Sequence, residues 1–139
     1  MSSKNLNFLA RMALVVLITV ACGCAELGMQ SNMPPDQVVR QRAQAWADSL
    51  LAGDIEGAWK LTSPSYRQFS SWKQYYNFVQ GSGRWNSATV DSVQCVEDVC
   101  DVSVMVEYEI KRMGVTNQRD LEFKWIKVDG DWWLHVPPK

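Results

Sequence analysis

The spacing of hydrophobic positions changes character three times along this chain. An unbroken apolar run, "MALVVLITVA" at residues 12–21, gives way to an aperiodic stretch, "GCAELGMQSNMPP". Helical spacing follows, and then strict alternation. In "PPDQVVRQRAQAWADSLLAGD", Val39, Ala43, Trp46 and Leu50 recur at helical intervals and make one apolar face. Pro35 suits a first turn and Asp36 the positive end of the helix, while Gly53 is placed to stop it. Asp54 can cap a short second helix, "IEGAWKLT", whose Ala58, Trp59 and Leu61 are apolar. Ser63 before Pro64 starts another in "SPSYRQF". "SSWKQYYNFVQG" predicts a third, opened by a Ser71–Gln74 capping box and ended by Gly81, with Trp72, Tyr75, Tyr76 and Val79 as its buried side.

From Trp85 onward the period is two. "SATVDSVQC" is strand-like, with Val90 and Val93 out of phase, which predicts a bulge. In "CDVSVMVEYEIK", Val102, Val104, Val106, Tyr108 and Ile110 share one face, and Asp101, Ser103, Glu107 and Glu109 the other. "MGVTNQ" reads as a turn. "RDLEFKWIKV" sets Leu121, Phe123 and Trp125 against Glu122 and Lys124, and Asp129-Gly130 opens a hairpin into "DWWLHV". Helices first and an antiparallel meander after them make an α+β domain, with a long N-terminal helix and short helices packed on one face of a sheet of about four strands.

The N-terminal run is about half the roughly 20 residues that span a bilayer. Lys4 and Arg11 precede it with no acid, and small residues follow it, the order of parts in an export signal. "ITVACGC" resembles a bacterial lipoprotein signal, in which a small residue precedes a cysteine that is acylated and becomes the new N-terminus. Two frames fit, Ala21-Cys22 and Gly23-Cys24; Cys22 is preferred because it directly ends the apolar run. The resemblance implies a signal at residues 1–21, a tether at 22–35 and a domain at 36–139. It also implies anchoring through N-terminal acyl chains, palmitate among them. Neither Gly23 nor Ala25, the residue after each candidate, is the Asp that retains such proteins on the inner membrane, so the outer membrane is the expected address.

Cys95 and Cys100 flank "VEDV" in a strand pattern, and a four-residue connection between paired strands can bring them together. A structural disulfide in an oxidising compartment is the expectation. A redox pair and a zinc site shared with Cys22 and Cys24 remain alternatives, though C-x4-C within strands matches the usual spacing of neither.

Removing residues 1–21 leaves twelve cations against fifteen carboxylates, with no basic run. Nucleic acid is therefore not an expected partner. Attraction to anionic lipid has no support in this linear charge pattern either, so the acyl chains would hold the membrane alone.

Residues 36–136 resemble the nuclear transport factor 2-like superfamily. The resemblance is carried by "SLLAGDIEGAWKLTSP", in which Gly53-Asp54 breaks the first helix before Ala58-Trp59, by the short helices after it, and by the closing hairpin of Asp129, Gly130, Asp131, Trp132 and Trp133. It implies a strongly curved sheet crossed by the first helix, a cone with a cavity at its wide end. It does not imply one activity, because that superfamily contains isomerases, dehydratases, binding modules and scaffolds.

The chemistry along the chain is sparse. His135 is the single histidine, and its neighbours Trp133 and Val136 favour a structural place in the last strand. No catalytic triad order, metal spacing or phosphate loop appears, and Gly81-Ser82-Gly83 reads as a helix stop. Asp48, Tyr66 and Tyr108 are the groups an isomerase-like site would use, yet none matches a catalytic motif, and Asp48 reads as a solvated helix residue. The cavity candidates are Trp46, Trp59, Tyr66, Tyr108 and Trp125, of which Trp46, Trp59 and Trp125 have the competing reading of core. Trp132 and Trp133 are consecutive and point to opposite faces of a strand, which makes them the candidate partner surface. No cofactor or metal is expected. The expected function is a lipid-anchored, non-catalytic interaction module whose partner is an envelope protein. The alternatives are a binder of a small apolar ligand under the first helix and, ranked last, an isomerase- or lyase-like enzyme.

Overall fold

A computed structural model describes residues 33–137 of the chain. The signal at residues 1–21, the acylation candidates Cys22 and Cys24, and the tether as far as residue 32 lie outside the described residues.

Helix α1 spans Pro35–Leu51, with proline in its first turn and Asp36 beside it. Its buried residues are the expected Val39, Ala43, Trp46 and Leu50, joined by Ala47. Gly53 follows in the left-handed region at φ +75°, which lets the chain reverse without a Cβ penalty. Helix α2, Ile55–Lys60, opens where the Asp54 carboxylate accepts the Gly57 N–H at 2.8 Å. A Cβ on Gly57 would run into that carboxylate, so cap and glycine work as a pair in "GDIEGAW". Ser63 caps α3, Pro64–Phe69, by accepting the Tyr66 N–H. Both halves of the Ser71–Gln74 capping box are formed at the start of α4, Trp72–Val79.

Two details of α4 depart from the sequence pattern. The α-helix ends at Val79, just before Gly81 as expected, but a 3-10 turn, Gln80–Arg84, rather than a break carries the chain straight into the first strand. The buried side is Tyr75 and Val79, with Phe78 packed against the core, whereas Trp72 and Tyr76 are exposed. In a two-turn helix, periodicity defines a broad apolar sector but not which edge turns inward. Here contact between Phe78 and Phe123, with centroids 6.5 Å apart, rolls the helix toward the sheet.

The sheet has the order β1 (Trp85–Val96), β2 (Val99–Ile110), β3 (Val115–Val128) and β4 (Asp131–His135), antiparallel throughout. The register shifts between Val90 and Ser92, where the bulge was expected, and again between Trp85 and Ser87. The β1–β2 connection is shorter than the cysteine spacing suggests. Val96 pairs with Val99, leaving only Glu97 and Asp98 as the turn. Glu97 takes φ +54°, which permits that tight reversal, and the Asp98 carbonyl accepts the Lys127 N–H at 2.9 Å. Asp129 and Gly130, at φ +53° and +86°, make the predicted two-residue turn into β4.

Val102, Val104 and Val106 of β2 are buried as predicted. They join Ala88 and Val90 of β1, Trp125 of β3 and Leu134 of β4 beneath the apolar face of α1. Side chains of α1 close the open edge of β1. Gln44 donates from Nε2 to the Ala88 carbonyl at 3.1 Å and accepts the Val90 N–H at 3.0 Å. Arg40 donates to the Val90 and Asp91 carbonyls. An edge strand's free groups are thus satisfied by a helix rather than by a further strand. At the other edge, residues 61–63 run parallel to β4, with the Leu134 N–H donating to the Leu61 carbonyl and the Ser63 N–H to the Leu134 carbonyl.

Cys95 and Cys100 are direct cross-strand partners joined in a disulfide, with Cα atoms 4.0 Å apart. A bonded pair offers no thiolate to zinc, and Cys100 is fully buried, unlike the accessible sulfur of a redox centre. Its role is to hold the hairpin register.

Candidate binding site

The inward faces of β2 and β3 are sealed along part of their length and open along the rest. Where cover by α1 gives out, the 3-10 turn and α4 leave a recess with two adjoining lobes. One, of about 270 Å³, is lined by Trp46, Phe78, Val79, Ser82, Leu121 and Phe123. The other, of about 240 Å³, reaches Arg84, Val106, Tyr108 and Arg119. Gly81, Trp85 and Leu121 line both. Ligand sites combine such an apolar interior with a few polar groups.

The floor is held by interlocked rings. Trp46 meets Phe123 edge-on at 4.7 Å and Trp85 at 6.4 Å between centroids. The Trp46 indole N–H donates to the Tyr75 hydroxyl at 3.0 Å, so the buried polar atom of each ring is satisfied by the other. Burial pushes the Tyr75 phenol well above its ordinary range, outweighing the opposing effect of the Trp46 hydrogen bond, and the group stays neutral. At the mouth, Arg84 and Arg119 are exposed, and among the described residues neither takes part in an ion pair. The Tyr108 hydroxyl accepts from Asn117 Nδ2 at 3.3 Å. None of the described carboxylates is buried.

Of the five cavity candidates, the structure brings Trp46 and Tyr108 to this recess. Trp125 is fully buried among core residues, and its indole N–H has no partner among the described protein groups. Trp59 does not line the recess; it packs behind its floor with Tyr66, Trp72 and Tyr75, at centroid distances of 5.6, 6.0 and 5.1 Å. Tyr66 borders a different groove with Phe69, Gln74 and Val136. Burial raises its phenol pKa, opposed by a hydrogen bond with Ser70. Asp48 is exposed and accepts from Gln44 Nε2, the solvated placement expected.

His135 is half-buried at the end of β4, beside Ser63, Ser65 and Ser70. Among the described residues no serine hydroxyl bonds its ring; Ser63 and Ser65 bond each other at 3.3 Å. The nucleophile–base contact of hydroxyl catalysis is not assembled there.

Trp132 and Trp133 do not form an open aromatic surface. Trp132 pairs with Lys127 across the hairpin, on the same side as Trp125 and Leu134, and is buried. Trp133 is half-buried, with the guanidinium carbons of Arg42 and Arg67 at 4.8 and 5.0 Å from its ring centroid. Arg67 also donates to the Lys60 and Thr62 carbonyls, which pins it in place. Desolvation lowers the Arg42 pKa below its usual value, partly countered by Asp131. Sequence reasoning missed the cationic cover because it comes from helices remote in the chain.

It also missed Arg84, Arg119, Phe78 and Leu121 as recess residues. Arg119 carried a legible signal: it shares strand parity with Leu121, Phe123 and Trp125, so a cation directly continues that apolar row.

A four-stranded antiparallel sheet roofed by an N-terminal helix, with a recess where the roof ends, defines an α+β domain. This is the nuclear transport factor 2-like fold. Solved structures bear it out. A nuclear transport factor 2-like protein from Campylobacter jejuni, named as a transpeptidase, superposes with a TM-score of 0.53 at 13% identity, over 70% of this chain and 96% of its own. A sec-c motif containing protein from Psychrobacter arcticus gives 0.56 at 12% identity, over 79% of this chain and 65% of its own. A protein named Rd1NTF2_05, in a form with five substitutions, gives 0.51 at 14%, over 69% and 90%. At such identities the likeness is one of fold. Neither a family model nor a curated protein matches the sequence.

Proposed function

We propose that this chain is an exported protein, anchored in the cell envelope through acyl groups on Cys22 or Cys24, whose domain is a non-catalytic binding module for a small apolar anion. The observation that carries the binding part is the composition of the recess. Aromatic and aliphatic side chains form its interior, two unpaired guanidiniums flank its mouth, and no carboxylate or imidazole lines it. An aromatic or short alkyl carboxylate matches that arrangement, because its apolar body displaces water from Trp85 and Leu121 while its charge meets Arg84 and Arg119. A binder rather than a catalyst is the reading supported by exposed carboxylates and a His135 without a hydroxyl partner.

Thermal shift with 2-naphthoate against the uncharged 2-naphthalenemethanol tests it. Binding to the native state raises the melting temperature in a concentration-dependent way. The carboxylate should stabilise and the alcohol should not; equal or absent shifts refute the assignment. Mass spectrometry of the mature N-terminal peptide tests the anchor. Acylation at Cys22 leaves Cys24 as an odd thiol that labels, acylation at Cys24 leaves none, and an intact residue 1–21 segment refutes the lipoprotein reading.

A further inference from the structure

The corner between α3 and α4 exposes aromatic surface that the fold does not use. Phe69 is 81% exposed, Trp72 45% and Tyr76 50%. Trp72 and Tyr76 are one helical turn apart on α4 and so share a face. Behind them, Trp72 rests against Trp59 and Tyr75, so the corner is held by a packed aromatic cluster.

Charge is distributed unevenly around it. Residues 57–90 hold Lys60, Arg67, Lys73 and Arg84 and no carboxylate at all. Residues 91–139 hold ten carboxylates against six cations. The net charge of the whole conceals a helical segment without carboxylates, although Lys60 pairs with Glu56 just outside it at 3.2 Å. Lys73 lies between Trp72 and Tyr76 in sequence and, among the described residues, forms no ion pair.

We infer that this corner, with Phe69, Trp72, Lys73 and Tyr76, is a contact for an anionic lipid bilayer surface and sets the orientation of the domain on the membrane. Tryptophan and tyrosine favour the headgroup level, where an apolar ring and a polar tip are both satisfied. A cation near an anionic membrane surface adds electrostatic attraction. Such a sum is weak for a free protein. It suffices for a chain already held at the membrane, where the second contact is intramolecular. In that respect the inference rests on the proposed anchor, and it departs from the expectation that acyl chains act alone.

The test removes this dependence. The chain from residue 22 onward, with Cys22→Ser, Cys24→Ser and a hexahistidine at its N-terminus in place of the signal, is held on nickel-chelating vesicles, so the tether does not depend on acylation. Tryptophan emission is then read with brominated lipid as quencher. Every tryptophan of the chain lies between residues 46 and 133, so the tether contributes no signal. The bromolipid quench should be stronger on phosphatidylglycerol than on phosphatidylcholine vesicles. Trp72→Phe should remove most of it, and Lys73→Glu, a change at an exposed site, should reduce it. A quench indifferent to Trp72→Phe, or no stronger on phosphatidylglycerol, overturns the inference. So does shielding of Trp72 from aqueous acrylamide without vesicles, which would mark self-association of the corner. Failure of the anchor would show in the N-terminal mass and leave these readings unaffected.

Discussion

The same two strands build a sealed core at one end and a recess at the other. Val102 and Val104 of β2 and Trp125 of β3 are fully buried, while Tyr108 of β2 and Arg119 of β3, on the same face, border open space. In β2 the alternation runs through both ends, so strand composition does not explain the difference there, although β3 is polar from Thr116 to Asp120. Cover explains it. The first end lies beneath the Val39–Ala43 face of α1, and its edge is sealed by Gln44 and Arg40. The second is roofed only by α4 and the 3-10 turn, where Gly81 and Gly83 bring no side chains. Binding capacity in this fold arises where a roof ends, not where a motif begins.

Mutations should separate the two ends. Trp46→Ala removes a buried ring and orphans the Tyr75 hydroxyl; a loss of about 3–5 kcal/mol is expected in urea unfolding. Trp85→Ala, at the half-buried mouth, should cost less than about 2 kcal/mol. Equal losses would erase the distinction between core and recess. Replacing both Cys95 and Cys100 by alanine should cost about 2 kcal/mol, the chain-entropy value for a small loop, and hairpin amides should exchange faster. Gln44→Ala frees one backbone donor and one acceptor on the β1 edge; about 1–2 kcal/mol is expected, with faster exchange confined to Ala88 and Val90.

Alkaline titration probes the floor between the ends. Tyr75 keeps its proton in the folded state above the ordinary phenol pKa, whereas the unfolded chain loses it. The folded state then binds more protons, so stability should fall as pH rises above about 10, by at most about 1.4 kcal/mol per pH unit from this group. Tyr75→Phe should flatten that decline while costing about 1 kcal/mol at neutral pH through the lost Trp46 bond. An unchanged slope would mean that Tyr75 is not sealed. The smallest stability effect belongs to the recess mouth. Replacing Arg84 and Arg119 together by alanine should move stability by no more than about 0.5 kcal/mol. It should weaken 2-naphthoate binding about tenfold or more in calorimetry. Loss of stability without loss of binding would assign both arginines to the fold.

Much of the architecture was legible because it is written in local chemistry. The α1 stripe, the caps at Asp54, Ser63 and Ser71, the bulge after Val90 and the Asp129-Gly130 turn each depend on a few neighbouring residues. The site was less legible. Trp46 and Tyr108 were identified as candidates, but so were Trp59, Tyr66 and Trp125, which lie elsewhere. Aromatic type marks burial and does not say which rings meet. Trp132 and Trp133 were taken for a contact surface on strand parity alone, and the structure covers one with the core and the other with arginines from α1 and α3.

By itself, then, the sequence determined the order of elements, the inward face of each long element, the cysteine pair and the stretch without carboxylates at residues 57–90. These follow from periodicity, turn conformation and formal charge, all set within a few residues. Tertiary structure alone decided how far α1 reaches over the sheet, which edge of α4 turns outward to expose Trp72 and Tyr76, and that Arg84 and Arg119 stand at one mouth. Each of those depends on packing between segments tens of residues apart, where the competing arrangements differ in which surfaces meet rather than in any local preference.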